Sequence, residues 1–236
     1  SCFCFNYCCF WFCNCNEFCF IMVRVKATVT YDGSKFHGFQ VQNNLRTVQG
    51  EIQKALKNIC KEKIIIHGSG RTDAKVHGVK QVFHFDTTSN LPEKQWKRAI
   101  NHFLPNDIYI TDTEFVSEDF HSRYSAVKKE YHYLLSTNEY NPFETNYIYQ
   151  YGRPLDIELM QQAAKIFIGE HDFASFCSYD QYGNTIRTIY KIDITNENGI
   201  VKFILTGNGF RRYMVRHIVG GLIQVGAKRI DQARLQ

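Results

Sequence analysis

Between Val23 and Thr30, apolar and polar residues alternate without a break: Val23, Val25, Ala27 and Val29 against Arg24, Lys26, Thr28 and Thr30. A pleated strand puts every second side chain on one face, so this stretch predicts a half-buried β-strand, ended by Tyr31-Asp32-Gly33. The chain is thereby committed to a sheet that packs one face on a core.

The residues that follow supply the core. After a polar loop carrying Gln40 and Gln42, Thr47 can cap a helix whose Val48, Ile52, Ala55, Leu56 and Ile59 form one apolar stripe. Ile64 to Ile66 predicts a short strand, the loop from Gly68 to Asp73 follows, and Val79 to Phe85 predicts another strand. Trp96, Ile100 and Phe103 signal a second helix between Pro92 and Pro105. Glu130 to Ser136 predicts a strand, and Asn141-Pro142 a break. Leu159, Met160, Ala163, Ala164 and Phe167 predict a helix begun at Asp156 and ended by Gly169. Ile186 to Ile194 and Ile200 to Leu205 flank Asn196-Glu197-Asn198-Gly199, a hairpin signature, and a last helix is expected from about Arg212 to Val225. Segregated hairpins and helices predict an α+β fold: two pseudo-related α/β halves sharing a largely antiparallel sheet. The expected division is 22–145 and 146–236, with the junction near residues 140 to 155.

With 236 residues, 44% hydrophobic and 22% charged, the chain is long enough for a real core, and disorder or collagen-like repetition is excluded. Its nine cysteines suggest a disulfide framework until their positions are read. Seven of them (Cys2, Cys4, Cys8, Cys9, Cys13, Cys15 and Cys19) fall within residues 1–21, leaving Cys60 and Cys177. That opening has no Lys or Arg, so it lacks the basic region of a secretory signal, and Asn14, Asn16 and Glu17 interrupt any membrane span. Its C-x-C pairs complete no zinc pattern. The simplest expectation is that Met22 is the natural start and residues 1–21 are extraneous. The formal net charge of the whole chain is +5, and beyond residue 21 the body is slightly more basic. A basic chain with two cysteines suits a reducing cytoplasm and a polyanionic partner.

Chemistry concentrates in two stretches. Asp73 is the only acid between Ile64 and Phe85, where Arg71, Lys75 and Lys80 are the cations, and Gly68 and Gly70 give its loop freedom. Such a carboxylate is expected to stay ionised; the alternative is an aspartate that merely caps a turn. The loop does not fit a phosphate-binding P-loop, which needs four residues between its glycines. From Gly207 to Ile230 there are five Arg and Lys residues and no acid. Arg216 shares a helix face with Tyr213, Val219, Gly220 and Ile223, so it either docks against a carboxylate from elsewhere or snorkels to solvent. Arg123, Lys128 and Lys129 interleave with Tyr124, Tyr131 and Tyr133, a mixture suited to RNA phosphates and bases, although paired tyrosines on a strand also serve plain sheet packing. His67, His77 and His84 fit no metal-ligand spacing.

At these residues the sequence resembles a known family. Tyr31-Asp32-Gly33, then Phe36-His37-Gly38-Phe39-Gln40-Val41-Gln42 and Arg46-Thr47-Val48-Gln49, resemble the opening of the tRNA pseudouridine synthase I (TruA) family. Gly70-Arg71-Thr72-Asp73-Ala74-x-Val76-His77 resembles its catalytic motif. Phe120-His121-x-Arg123, Lys129-x-Tyr131-x-Tyr133, Gly169-x-His171-Asp172-Phe173, and Gly209-Phe210 with Met214-Val215-Arg216-x-Ile218-Val219-Gly220 follow in order.

The resemblance implies the pseudouridine synthase fold and a homodimeric isomerase of the cytoplasm that converts uridines at positions 38–40 of the tRNA anticodon stem-loop without cofactor or metal. It implies Asp73 as nucleophile, Arg216 as its partner, Tyr131 against the target base and Arg71 in the flipped nucleotide's place. The alternative is a tRNA-binding protein without catalysis. Two departures stand out: Lys75 occupies a position where the family usually has Gly, and the chain is expected to lack a final segment beyond Gln236.

Overall fold

The computed structural model describes residues 22–178 and 183–235; the Cys- and Phe-rich opening, and the metal reading attached to it, lie outside the described residues. The alternating segment is strand β1 (Val23–Tyr31), with Val25, Ala27, Val29 and Tyr31 buried. Helix α1 (Val48–Cys60) starts where Thr47 accepts a hydrogen bond from the Gly50 N–H, and it buries Val48, Ile52, Ala55 and Leu56. Its last turn stops at Lys61, in the left-handed region with φ 61°. Helix α2 (Glu93–Phe103) adds Trp96 and Ile100 to the same core, whereas Phe103 remains exposed.

Strand β2 is only His67–Gly68, so the strand expected at Ile64 to Ile66 is displaced, although Ile64 and Ile66 are buried in the core. With β3 (Gly78–Thr87) and β4 (Ile108–Val116) it forms a four-stranded sheet of order β2-β3-β1-β4, antiparallel throughout. Strand β4 was not among the expected elements.

The second sheet has five strands in the order β6-β5-β9-β8-β7: β5 (Lys129–Ser136), β6 (Tyr149–Gln150), β7 (Gly169–Asp172), β8 (Ile186–Glu197) and β9 (Ile200–Gly207). Among the described residues only β5 and β6 run parallel. The β8–β9 turn places both Asn198 (φ 53°) and Gly199 (φ 81°) in the left-handed region, as the hairpin signature requires. Helices α3 (Ile157–Ala164), capped by the Asp156 carboxylate, and α4 (Met214–Gly226) cover one face of this sheet, burying Met160, Phe203, Ile218 and Leu222.

The α+β class and the antiparallel pairing agree with expectation, but the ladder is divided into two sheets. Beyond Gly68 the chain leaves the ladder for the glycine loop, and a side chain bridges the gap: Lys129, the first residue of β5, donates to the Ser69 carbonyl at 2.7 Å. Strand β5 precedes residues 140 to 155 in the chain yet hydrogen-bonds within the second sheet.

Candidate active site

The loop from Ser69 to His77 carries Asp73, and the residues before α1 form its bed. Gln81 of β3 donates to the Gly70 carbonyl at 2.8 Å and accepts at 2.7 Å from the Tyr31 hydroxyl, which in turn takes a hydrogen bond from Thr72 Oγ1 at 2.9 Å. Burial pushes the Tyr31 phenol up to about 12, so it remains a donor. Backbone bonds complete the bed: Phe39 N–H to the Thr72 carbonyl at 3.1 Å, and Lys75 N–H to the Phe36 carbonyl at 3.1 Å. Gly38 permits this close approach. It has φ +94°, and a Cβ there would lie 2.7 Å from the Thr72 carbonyl oxygen. Tyr31 and the Phe36 to Phe39 segment therefore hold the loop, a role that their place in the sequence did not disclose.

Arg216 reaches this loop from the other sheet's helix layer, with Nη2 at 3.3 Å from Asp73 Oδ2. The docked carboxylate comes from elsewhere in the fold, as one of the two readings required. The pair is more open than a docked arginine suggests, however: the Arg216 side chain is 51% exposed and that of Asp73 35%. The guanidinium lies 5.6 Å from the Tyr213 ring centre. Arg216 is in the first turn of α4, which has no acidic residue. A cation there opposes the helix dipole, so the position favours an anion in front of it over helix stability.

Tyr131 projects from β5 toward the same loop, packed edge-on against Phe210 with ring centres 5.1 Å apart. Burial raises its phenol pKa, and the Asp73 charge raises it further. Two positions along, Tyr133 feels the opposing pull of Arg216, although burial still sets the net upward direction. Lys129 is pushed down, first by burial and then by Arg123 and Arg187, so several cations crowd one edge of the site. Asp73, Arg216 and Tyr131 thus come together. Arg71 is exposed, and among the described residues no carboxylate lies within ion-pair distance of it.

The histidines divide. His67, His84 and His121 cluster, with the rings of His67 and His84 stacked 5.0 Å apart and His121 packed edge-on against His84. His77 instead lies at the end of the Asp73 loop. Among the described residues no group of His, Cys, Asp or Glu has the geometry to hold a metal ion.

The sequence profile of the tRNA pseudouridine synthase family matches residues 27–125 and 163–236. The chain belongs to that family. Its similarity to tRNA pseudouridine synthase A 1 of Bacillus cereus is 46% identity over 213 residues, covering 89% of this chain and 86% of the relative. Tellingly, tRNA pseudouridine synthase A of Oceanobacillus iheyensis is 47% identical over 209 residues, covering 87% and 83% of the two chains. The enzyme of that name from Anoxybacillus flavithermus is 42% identical over 207 residues, covering 87% and 84%. As a tRNA pseudouridine synthase the chain is an isomerase, and the family-matched residues include both Asp73 and Arg216. Lys75, standing where the resemblance implies Gly, has φ +64°, the left-handed region that glycine adopts freely.

Proposed function

We propose that this synthase isomerises uridines at positions 38–40 of the tRNA anticodon stem-loop with Asp73 as its nucleophile. The observation that carries the reading is the Asp73–Arg216 pair, a carboxylate held by a cation from the opposite half at 3.3 Å. The guanidinium holds the carboxylate through Oδ2, leaving the other oxygen free for the substrate. In the reaction the N1–C1′ bond of uridine breaks, a C5–C1′ bond forms, and the proton lost from C5 is balanced by one gained at N1. Asp73 attacks ribose C1′ or adds to C6 of the base; the same carboxylate serves either route.

The uridine must first leave its stack, at a cost of a few kcal/mol. Tyr131, braced by Phe210, offers a ring to the displaced base. Arg71, exposed at the edge of the loop, takes the place the nucleotide vacates. The exposed Arg123 and Lys128 neutralise backbone phosphates, while Lys129 stays on the Ser69 carbonyl. Nothing in this scheme draws on a metal or cofactor. The protein acts as a homodimer in the cytoplasm, where tRNA is modified and where the free thiols of Cys60 and Cys177 stay reduced. No helix among the described residues is long and apolar enough to cross a membrane. The reading is tested by incubating unmodified tRNA with the protein and mapping pseudouridine. Product at positions 38–40 supports it; tight binding without product would favour the tRNA-binding alternative.

A further inference from the structure

The bonds from Tyr31, Gln81, Phe36 and Phe39 fasten the catalytic loop to the first sheet only, yet Arg216 and Tyr131 belong to the second. The loop touches the second sheet's side at both its ends. Ser69, at its start, receives Lys129. His77, at its end, has Nε2 2.9 Å from the carbonyl oxygen of Asn146. A carbonyl only accepts, so Nε2 carries the proton; Nδ1 accepts from the Gly33 N–H at 3.1 Å. Asp32 Oδ1 lies 3.1 Å from that same Nδ1, and Asp32 and the Tyr147 phenol are the titratable groups that face the ring.

The neighbouring residue completes a clasp. Tyr147 stacks on His77 with ring centres 5.0 Å apart, and its hydroxyl donates to Asp32 Oδ2 at 2.8 Å. Burial alone would raise the Asp32 carboxyl, but hydrogen bonds from Ser34 and Tyr147 bring it down to about 2, so it is a lasting acceptor. Asn146 and Tyr147 lead directly into β6, which pairs with β5 through Leu135 and Tyr149. Strand β5 bears Tyr131. A continuous path therefore runs from the loop end, through His77, to the strand that carries the stacking ring.

We propose that His77 and Tyr147 are positioning residues that set the catalytic loop against the second half, and with it the distance between Asp73 and the Arg216–Tyr131 pair of partners. The inference rests on the reading of Asp73 as nucleophile. The clasp is open to water: Tyr147 is 54% exposed. Exposed contacts of this kind add little to stability, whereas a misplacement of about 1 Å at a reacting group costs about a hundredfold in rate.

The test compares His77→Ala, His77→Gln and Tyr147→Phe with the wild type in steady-state kinetics on unmodified tRNA and in thermal unfolding. His77→Ala should lower kcat at least about tenfold with KM for tRNA unchanged within about twofold. His77→Gln, which keeps an amide N–H for Asn146, should recover part of that loss. Tyr147→Phe keeps the stacked ring and removes only the bond to Asp32, so it should fold normally and show a smaller fall in kcat. Unchanged kcat in both His77→Ala and Tyr147→Phe would overturn the proposal, as would a fall in kcat matched by lost thermal stability and not relieved by glutamine. Asp73→Asn run in parallel separates the two readings. Full activity there sinks the nucleophile assignment, whereas a dead Asp73→Asn beside a fully active His77→Ala sinks the clasp alone.

Discussion

Asp73 and Arg216 meet at 3.3 Å although one sits on a loop of the four-stranded sheet and the other on a helix over the five-stranded sheet. An ion pair this exposed contributes about 0–1 kcal/mol to folding, so it does little to hold the two halves together.

Arg216→Ala should therefore separate activity from stability. We expect kcat to fall by about a hundredfold or more, of the order seen when one positioned charged donor is removed. The unfolding midpoint should stay level or rise slightly, because a cation leaves the first turn of α4. Parallel kinetics and thermal melts check both halves of this expectation.

Lys75 holds a left-handed backbone with φ +64°. That conformation costs an L-residue about 1–2 kcal/mol, partly offset in a glycine variant by its more flexible unfolded chain. Lys75→Gly should accordingly raise stability by up to about 1 kcal/mol, while Lys75→Ala, which keeps the Cβ, should give no such gain. Denaturant titration of the two variants distinguishes strain from loss of the charge.

His84 is 2% exposed, and burial first, then Arg24, His67 and His121, lowers its imidazole to about 4 from the ordinary 6.5. Folded His84 therefore stays neutral while the unfolded chain takes up a proton. Stability is unaffected above about pH 6.5, falls as the pH drops toward about 4, and levels off below, by about 3 kcal/mol in all. Melting curves across that range should show the slope, and His84→Gln should flatten it.

Tyr131 braces on Phe210 rather than on the Asp73–Arg216 pair. Tyr131→Phe keeps the ring and should retain a measurable part of kcat. Tyr131→Leu fills similar space without a π face and should lose much more, since stacking on a base is worth about 1–3 kcal/mol. Single-turnover rates on one tRNA would rank the three proteins.

How much of this was legible in the sequence depends on the range of the interaction. Val25, Ala27 and Val29 announce β1 because a strand's period is local, and Thr47 and Asp156 announce their helices because a cap is local too. Strand β4 hides its period behind a bulge. Ile108 and Ile110 pair with Tyr31 and Val29, but the register slips at Thr28, so Thr113 and Phe115 take over the face opposite Ala27 and Val25. The even-numbered pattern turns odd half-way along. In the site, an isolated Asp73 among cations and an Arg216 without a local acid were both visible; that each answers the other was not. The Tyr147–Asp32 bond joins residues 115 apart in the chain, and no periodicity encodes such a contact.

The most direct test of the account is the conversion of unmodified tRNA by Asp73→Asn under single-turnover conditions, with tRNA binding measured on the same protein. The substitution keeps the size of the side chain and removes its charge. We predict tRNA binding near that of the wild type and no pseudouridine at positions 38–40. Pseudouridine formed at the wild-type rate would contradict the central claim that Asp73 is the nucleophile.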